Sequence, residues 1–185
     1  MLSSKKMKSV LALVLSLAMI FSLAPINAFA LSEGKFEYTV ENGQATITSY
    51  TDETSKGHLT VPDTLGGYPV VAIEYDAFNY ASFESISIPE SVTKIDNSCF
   101  PESVKSIEVA PGNSKYMSED GILFSKDKTV LVRYPSARAV LNYAVPDGVK
   151  VIAYGSFKFA KISNEIRRIL YQQLPYSGMV SDLCL

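Results

Sequence analysis

His58 is the single histidine of the chain. With a serine and a carboxylate it could complete a nucleophilic triad, the histidine taking the serine proton while the acid orients the ring. It stands beside Gly57 in a polar loop, so a solvated surface side chain is the simpler reading. Glu119 and Asp120 could be named as the paired carboxylates of glycoside hydrolysis. Neighbouring strand residues point to opposite faces, so the pair reads instead as a loop before Gly121. Cys99 and Cys184 allow one disulfide by arithmetic. Cys99, however, falls at a repeat position that holds Ala or Ser elsewhere, which fits a small buried thiol. One histidine and no cysteine pair at ligand spacing leave little from which to build a zinc site. The Asp-x-Asp-x-Asp-Gly calcium spacing is absent as well. Gly66-Gly67 runs into Tyr68-Pro69, which makes a turn rather than a phosphate cradle. The 11 Tyr and 9 Phe, with no Trp, are mostly accounted for by repeat and core positions, a poor fit to a carbohydrate-stacking platform. No catalytic, cofactor-binding or metal-ligating residue is assigned, and the chain reads as a protein without chemistry or cofactor of its own.

The elements that would carry these residues begin after a targeting segment. Lys5, Lys6 and Lys8 precede an apolar run from Val10 to Leu23 that only Ser16 and Ser22 interrupt. Pro25 then breaks any helix, and Ala28-Phe29-Ala30 offers small residues to a signal peptidase. The expected cut lies between Ala30 and Leu31. About 14 apolar residues fall short of the roughly 20 that span a bilayer as a helix, which disfavours an anchor. No Cys follows the cut and no Arg pair marks the charged region, so the general secretory route is expected, with the protein secreted or displayed at the cell surface. Loss of thirty residues leaves 155 with 14 basic against 19 acidic side chains, a net charge of −5. That disfavours a nucleic-acid partner and attraction to anionic lipid. No later apolar run is long enough for membrane insertion after cleavage.

A repeat organises what remains. Leu59-Thr60-Val61-Pro62 is followed by Val70, Ile73 and Phe78; Ile86-Ser87-Ile88-Pro89 by Val92, Ile95 and Phe100; Tyr143-Ala144-Val145-Pro146 by Val149, Ile152 and Phe157. Each Phe stands five residues after the Ile and follows a small residue: Ala77, Cys99 or Ser156. A partial copy begins at Ile107-Glu108-Val109. The apolar–x–apolar triplet has the period of a very short strand, and Pro ends it because it cannot donate a ladder bond. The Val-x-x-Ile spacing suits one helical turn or a 3₁₀-like bend. The Phe fills the space behind. One such unit cannot bury its own apolar edge, and stacked units can. Between the second and third full copies, Gly121-Ile122-Leu123-Phe124 and Val130-Leu131-Val132 flank a polar stretch and predict a hairpin inserted into one coil or replacing its helical side. At the front, Phe36–Val40 and Ala45–Thr48 alternate around Asn42-Gly43, the strongest short hairpin signal, placed where a stack needs a cap.

The frame Ile-x-Ile-Pro-x-x-Val-x-x-Ile-x-x-x-x-Phe resembles the BspA-like leucine-rich repeats of bacterial surface proteins, the Treponema-type subclass, over roughly residues 36–160. The front Asn42-Gly43 hairpin, the segment Gly66–Val70, and Pro111-Gly112-Asn113 leading to Tyr116, Asp120-Gly121 and Leu123-Phe124 are similar to that family in the same order. The resemblance implies a right-handed repeat solenoid of leucine-rich-repeat type. Short parallel strands would line its concave side, with irregular, 3₁₀ or short helical segments on the convex side and the hairpin as N-terminal cap. It also implies surface display or secretion, and binding of an extracellular protein or host-surface macromolecule rather than catalysis.

The domain reading is therefore a signal over 1–30, a repeat domain over 31–160 and an off-pattern tail over 161–185. The tail is either a truncated or frame-shifted end of a longer repeat protein or a cap helix from Asn164 to Leu174, with Asn164 as its N-cap. The middle residue of each triplet faces away from the core, so Thr60, Ser87, Glu108 and Ala144 are the candidate concave-face binding residues, with Ser85, Ser106 and Asn142 nearby. Two functions of different class follow. One is a binding or adhesion module at the cell surface; the other is a non-catalytic region of a larger exported enzyme, or a sugar-binding module. Mass spectrometry of the exported protein is expected to find Leu31 as the first residue; a chain that retains Met1 or Lys5 would make the apolar run an anchor.

Overall fold

The computed structural model describes residues 30–140 and 142–163. The expected signal segment up to residue 29 and the tail from residue 164, with Asn164 and Cys184, lie outside the described residues. The chain forms a repeat solenoid. Its front is an antiparallel ribbon of β1 (Leu31–Glu33), β2 (Phe36–Glu41) and β3 (Gln44–Tyr50). Asn42 and Gly43 join β2 to β3 with φ of 52° and 74°, the left-handed pair that a two-residue hairpin requires. Glu41 faces Gln44 and Val40 faces Ala45 across that turn. The ribbon lays Tyr38, Ala45 and Ile47 over the interior, so it covers the open end of the stack as expected.

Two parallel ladders run along the solenoid. The first is β4 (His58–Thr60), β7 (Ser85–Ile88) and β9 (Ser106–Val109), paired in the order β4-β7-β9. The second joins β3, β6 (Tyr68–Ile73) and β8 (Lys94–Ile95), with Ile47, Ile73 and Ile95 in register. A two-residue strand β5 (Thr64–Leu65) folds back on β6 through Gly66-Gly67. The second ladder corrects an expectation. The Val-x-x-Ile segment is a strand throughout in the first copy and ends in the paired strands Lys94–Ile95 and Val151–Ile152 in the second and third, and no helix occurs among the described residues. The reason is stacking: in a coil this tight, the backbone amides of one Ile segment find partners in the next coil and need none of their own. Thus Thr93 N donates to Val71 O at 2.8 Å and Asp96 N to Ile73 O at 3.0 Å.

The convex side carries the Phe turns. Ala77, Asn79 and Ala81 donate to carbonyls three residues earlier, and Ser156, Lys158 and Ala160 repeat that pattern at the same repeat positions. These are the 3₁₀-like bends expected on that side, displaced by a few residues toward the Phe. Phe78, Phe100 and Phe157 are buried, as are Ala77, Cys99 and Ser156 before them. Burial pushes the Cys99 thiol well up, as a small apolar filler should be.

The hairpin after β9 does more than interrupt a coil. β10 (Tyr116–Glu119), β11 (Ile122–Ser125) and β12 (Val130–Arg133) form an antiparallel sheet, which β13 (Val151–Ile152) joins in parallel. Asp120-Gly121 closes β10 on β11 with φ of 51° and 75°, and a Cβ on Gly121 would stand 2.6 Å from the Ser106 hydroxyl. Side chains alternate across this sheet. Leu123 and Val132 enter one core with the front coils; Ile122, Phe124 and Leu131 enter a second with Tyr134, Phe157 and Ile162. The sheet is a wall with a core on each face, which explains its unbroken apolar runs.

Two buried polar side chains bind the wall to its neighbours. The Asn113 amide donates to Pro89 O at 2.9 Å and Val92 O at 2.8 Å, and its oxygen accepts from Lys115 N and Tyr116 N. Every hydrogen-bonding site of that amide is used. Arg133 is also fully buried. It donates to Gly155 O and to the Ser136 hydroxyl, both at 2.8 Å, while Ser136 donates to Lys158 O at 3.1 Å. No carboxylate faces the guanidinium in these bonds, and burial pushes it down to about 10. Replacing Asn113 with Ala orphans two carbonyls and two amides, so a loss of about 2–4 kcal/mol is expected in urea unfolding; a change under about 0.5 kcal/mol would remove Asn113 from this role.

Candidate functional site

The β4-β7-β9 ladder presents two rows of side chains to solvent on either side of a buried one. Leu59, Ile86 and Ile107 form the buried row, paired in register. Thr60, Ser87 and Glu108 form one outward row and His58, Ser85 and Ser106 the other. Both follow from the two-residue period of a strand. Three of the four candidate residues therefore meet as expected.

Ala144 does not join them. Residues 142–145 form no strand, although Ala144 itself is exposed. The wall takes the place it would occupy. Ile107 N donates to Gly121 O at 2.9 Å and Val109 N to the Ser118 hydroxyl at 3.0 Å. Both outward amides of β9 are thereby satisfied, and the ladder ends there instead of running on to the last coil. Gly121 is what permits the approach, since any side chain there would strike Ser106.

His58 is the residue whose place the sequence concealed. It is not in a loop but opens β4, two residues before Thr60 and opposite Ser85. Its parity with Thr60 and its alignment with Ser85 and Ser106 in the repeat were the available signals. The ring lies between two serines, with Nδ1 2.8 Å from the Ser85 hydroxyl and Nε2 2.9 Å from that of Ser87. Ser87 in turn lies 3.5 Å from a Glu108 carboxylate oxygen, the outer limit for such a bond. One proton arrangement satisfies the chain: Ser85 donates to Nδ1, Nε2–H to Ser87, and Ser87 to Glu108.

A serine beside a histidine invites comparison with a nucleophile and its base. The geometry argues against that use. Ser85, a neutral hydroxyl, stands where a carboxylate would stabilise the imidazolium. Glu108 lies on the serine instead. β7 is the central strand of its ladder, so its amides lie in the sheet plane and pair with β4 and β9; none is aimed at an oxyanion above Ser87. Glu119 and Asp120 do not converge either. Glu119 ends β10 and pairs with Lys128, and Asp120 occupies the left-handed turn position. Among the described residues no group of three His, Cys, Asp or Glu side chains could hold a metal ion. What the face offers is a flat, rigid, weakly charged array of hydroxyls with one imidazole and one carboxylate.

No protein-family model matches the chain, and comparison with curated proteins finds no match. Solved structures do match. The chain is similar to a leucine-rich repeat protein from Eubacterium ventriosum, at 28% identity over 56% of this chain and 27% of that one, with a TM-score of 0.47. It thus spans about a quarter of that protein's length. It is also similar to a leucine-rich cell surface protein from Faecalibacterium prausnitzii, at 17% identity over 77% of this chain and 70% of that one, with a TM-score of 0.30. A third is the leucine-rich repeat protein of T. pallidum, at 15% identity over 78% of this chain and 96% of that one, with a TM-score of 0.35. These neighbours are bacterial leucine-rich repeat proteins.

The catalytic reading has a direct check. A fluorophosphonate probe is expected to leave Ser87 unlabelled after prolonged incubation; labelling that His58→Ala abolishes would establish a working nucleophile.

Proposed function

We propose that this chain is an exported, secreted or surface-displayed interaction module of the BspA-like leucine-rich-repeat type. It binds an extracellular protein or host-surface macromolecule along the β4-β7-β9 face and performs no chemistry of its own. The observation that carries this reading is the three-strand register placing Thr60 beside Ser87 and Glu108, with His58, Ser85 and Ser106 alongside. Such a face is fixed by the stacked cores beneath it, so it presents hydrogen-bonding groups at low entropic cost to the partner. Its short side chains let another backbone approach closely, which suits an extended segment laid across the ladder.

Charge supports a protein partner over a polyanion. The exported portion is net negative, and the face itself carries one carboxylate and no Lys or Arg. The Lys105–Glu84 pair, 2.7 Å apart with both side chains half exposed, lies at its edge and contributes little to stability. The charged start of the chain and its apolar run support export. The resemblance of the repeat frame to surface proteins supports display.

The test is a binding survey of the exported protein over immobilised extracellular-matrix proteins by surface plasmon resonance. A Thr60→Arg/Ser87→Arg double variant should keep its thermal melt and lose binding about tenfold or more, as expected for bulky charges set in an interface centre. A double variant that binds as well as its parent, or a parent that retains no protein, would move the function off this face.

A further inference from the structure

The convex side departs from the expectation that the aromatics are consumed by the core. Four rings there are open to solvent: Tyr75 is 60% exposed, Tyr80 78%, Tyr154 43% and Phe159 46%. They are not scattered. Tyr75 and Tyr154 each stand two residues after the repeat Ile, and Tyr80 and Phe159 each stand seven after it. The coil between puts Asn97 and Glu102 at those same positions. Contacts show that the three turns are successive layers: Phe78 N donates to Cys99 O at 3.0 Å, and the Asn97 amide donates to Tyr154 O. The turn of Asn97 therefore touches the turns of both Tyr75 and Tyr154. The Lys158 ammonium lies 5.2 Å from the Phe159 ring centre and 5.8 Å from that of Tyr75, which bounds those rings at 11 Å.

The turn that presents two of these rings is unusually fixed. The carbonyl of Tyr154 accepts from Asn97, that of Gly155 from Arg133, that of Ser156 from Tyr134 N at 2.8 Å, and that of Lys158 from Ser136. The fully buried Arg133 thus serves this turn, at the cost of burying a charge without a carboxylate. Phe159 has φ of 60°, a left-handed conformation that is a genuine outlier for a bulky residue. Backbone held in that region is strained for a residue with a bulky side chain and is kept where the surroundings dictate it. Here the result is an apolar ring turned toward water.

We propose that Tyr75, Tyr80, Tyr154 and Phe159, with Lys158 between them, form a binding platform for an uncharged pyranose oligosaccharide. The ring pattern selects this occupant. A protein contact of this strength would want a contiguous, fully desolvated apolar centre, whereas Asn97 and Glu102 break each aromatic column in the middle. A sugar chain presents C–H faces to rings and hydroxyls to the amide, carboxylate and ammonium between them, and C–H groups interact favourably with the negative face of an aromatic ring. A cationic ligand would compete with Lys158 for the same rings. A polyanion would meet Asp76 and Glu102. The platform lies on other residues than the β4-β7-β9 face, so either site can fail without the other.

The experiment is an array of neutral gluco-, manno-, galacto-, xylo- and chito-oligosaccharides probed with the whole exported protein. Titration by tyrosine fluorescence follows, which the absence of Trp leaves readable. At least one series should be retained, with a dissociation constant of roughly 0.1–1 mM. Tyr75→Ala and Phe159→Ala should each weaken it about three- to tenfold with unchanged melting, and Lys115→Ala, on an exposed turn, should not. Retention of no series overturns the proposal, as does equal retention by the Tyr75→Ala/Phe159→Ala variant. Loss of a protein contact or of self-association in that variant, with no glycan bound, would assign the rings to a protein interface and overturn it too.

Discussion

A coil of some twenty residues has almost no inside. It has two short strands, one bend and one Phe, and its apolar edge is wider than anything it can fold over itself. Everything else in this molecule follows from the need of each coil to be covered by the next. The covering is possible because neighbouring coils can share backbone hydrogen bonds, which fixes their separation near the ordinary strand spacing and leaves room only for side chains that interdigitate at that pitch. This is why the residue before each Phe is small: Ala77, Cys99 and Ser156 are all buried, and a larger side chain there would hold the coils apart. It is also why the Val-x-x-Ile segments end in strands. A helical turn would satisfy its own amides and leave the adjoining coil's unpaired.

Such a stack propagates errors as readily as order, and the β10–β12 wall is where this one changes character. Sheets buried on both faces must be apolar throughout, so Ile122, Leu123 and Phe124 are consecutive. The cost is that the wall cannot be keyed to either side by polar alternation. Asn113 and Arg133 supply that key from within. Asn113 reaches two main-chain carbonyls of a neighbouring coil and Arg133 reaches one, and each is buried where an unpaired polar group is expensive. A shift of the wall by one residue would break these bonds together, so the same groups that weaken the core in isolation define its register.

Most of the scaffold was legible because the signals were local. Asn42-Gly43 between alternating strands, Pro after an apolar triplet and Phe five residues after Ile each report a conformation set by nearby atoms, and the triplet parity correctly set Thr60, Ser87 and Glu108 on one face. What a single sequence does not show depends on which coil lies beside which. Ala144 carries the right triplet, yet Gly121 and Ser118 closed the ladder before it. His58 reads as a loop residue because Gly57 precedes it and no strand period can be established from three residues. The Val-x-x-Ile spacing suits a bend or an extended segment equally, and only the neighbouring coil decides. The convex rings are not told apart from core rings because composition gives the number of aromatics but not their direction, and the left-handed φ of Phe159 has no signature in the residue type.

The two exposed faces differ in a way that bears on how a solenoid acquires function. On the ladder side, the outward side chains touch only one another at the exposed surface, so exchange of Thr60 or Ser87 costs the fold little and the face is free to change with its partner. On the convex side, the turn of residues 154–159 is held at four carbonyls by side chains and an amide from two other segments, Asn97 on one and residues 133–136 on the other. One of those side chains is a buried guanidinium, which disfavours the folded state unless its two acceptors are kept. A stack needs only something that covers Phe157, and a plain bend would do so without Arg133 or a strained Phe159. The additional fixation acts on where the rings of Tyr154 and Phe159 point, and rigidity at the surface is of value to a protein only when something is to be met there.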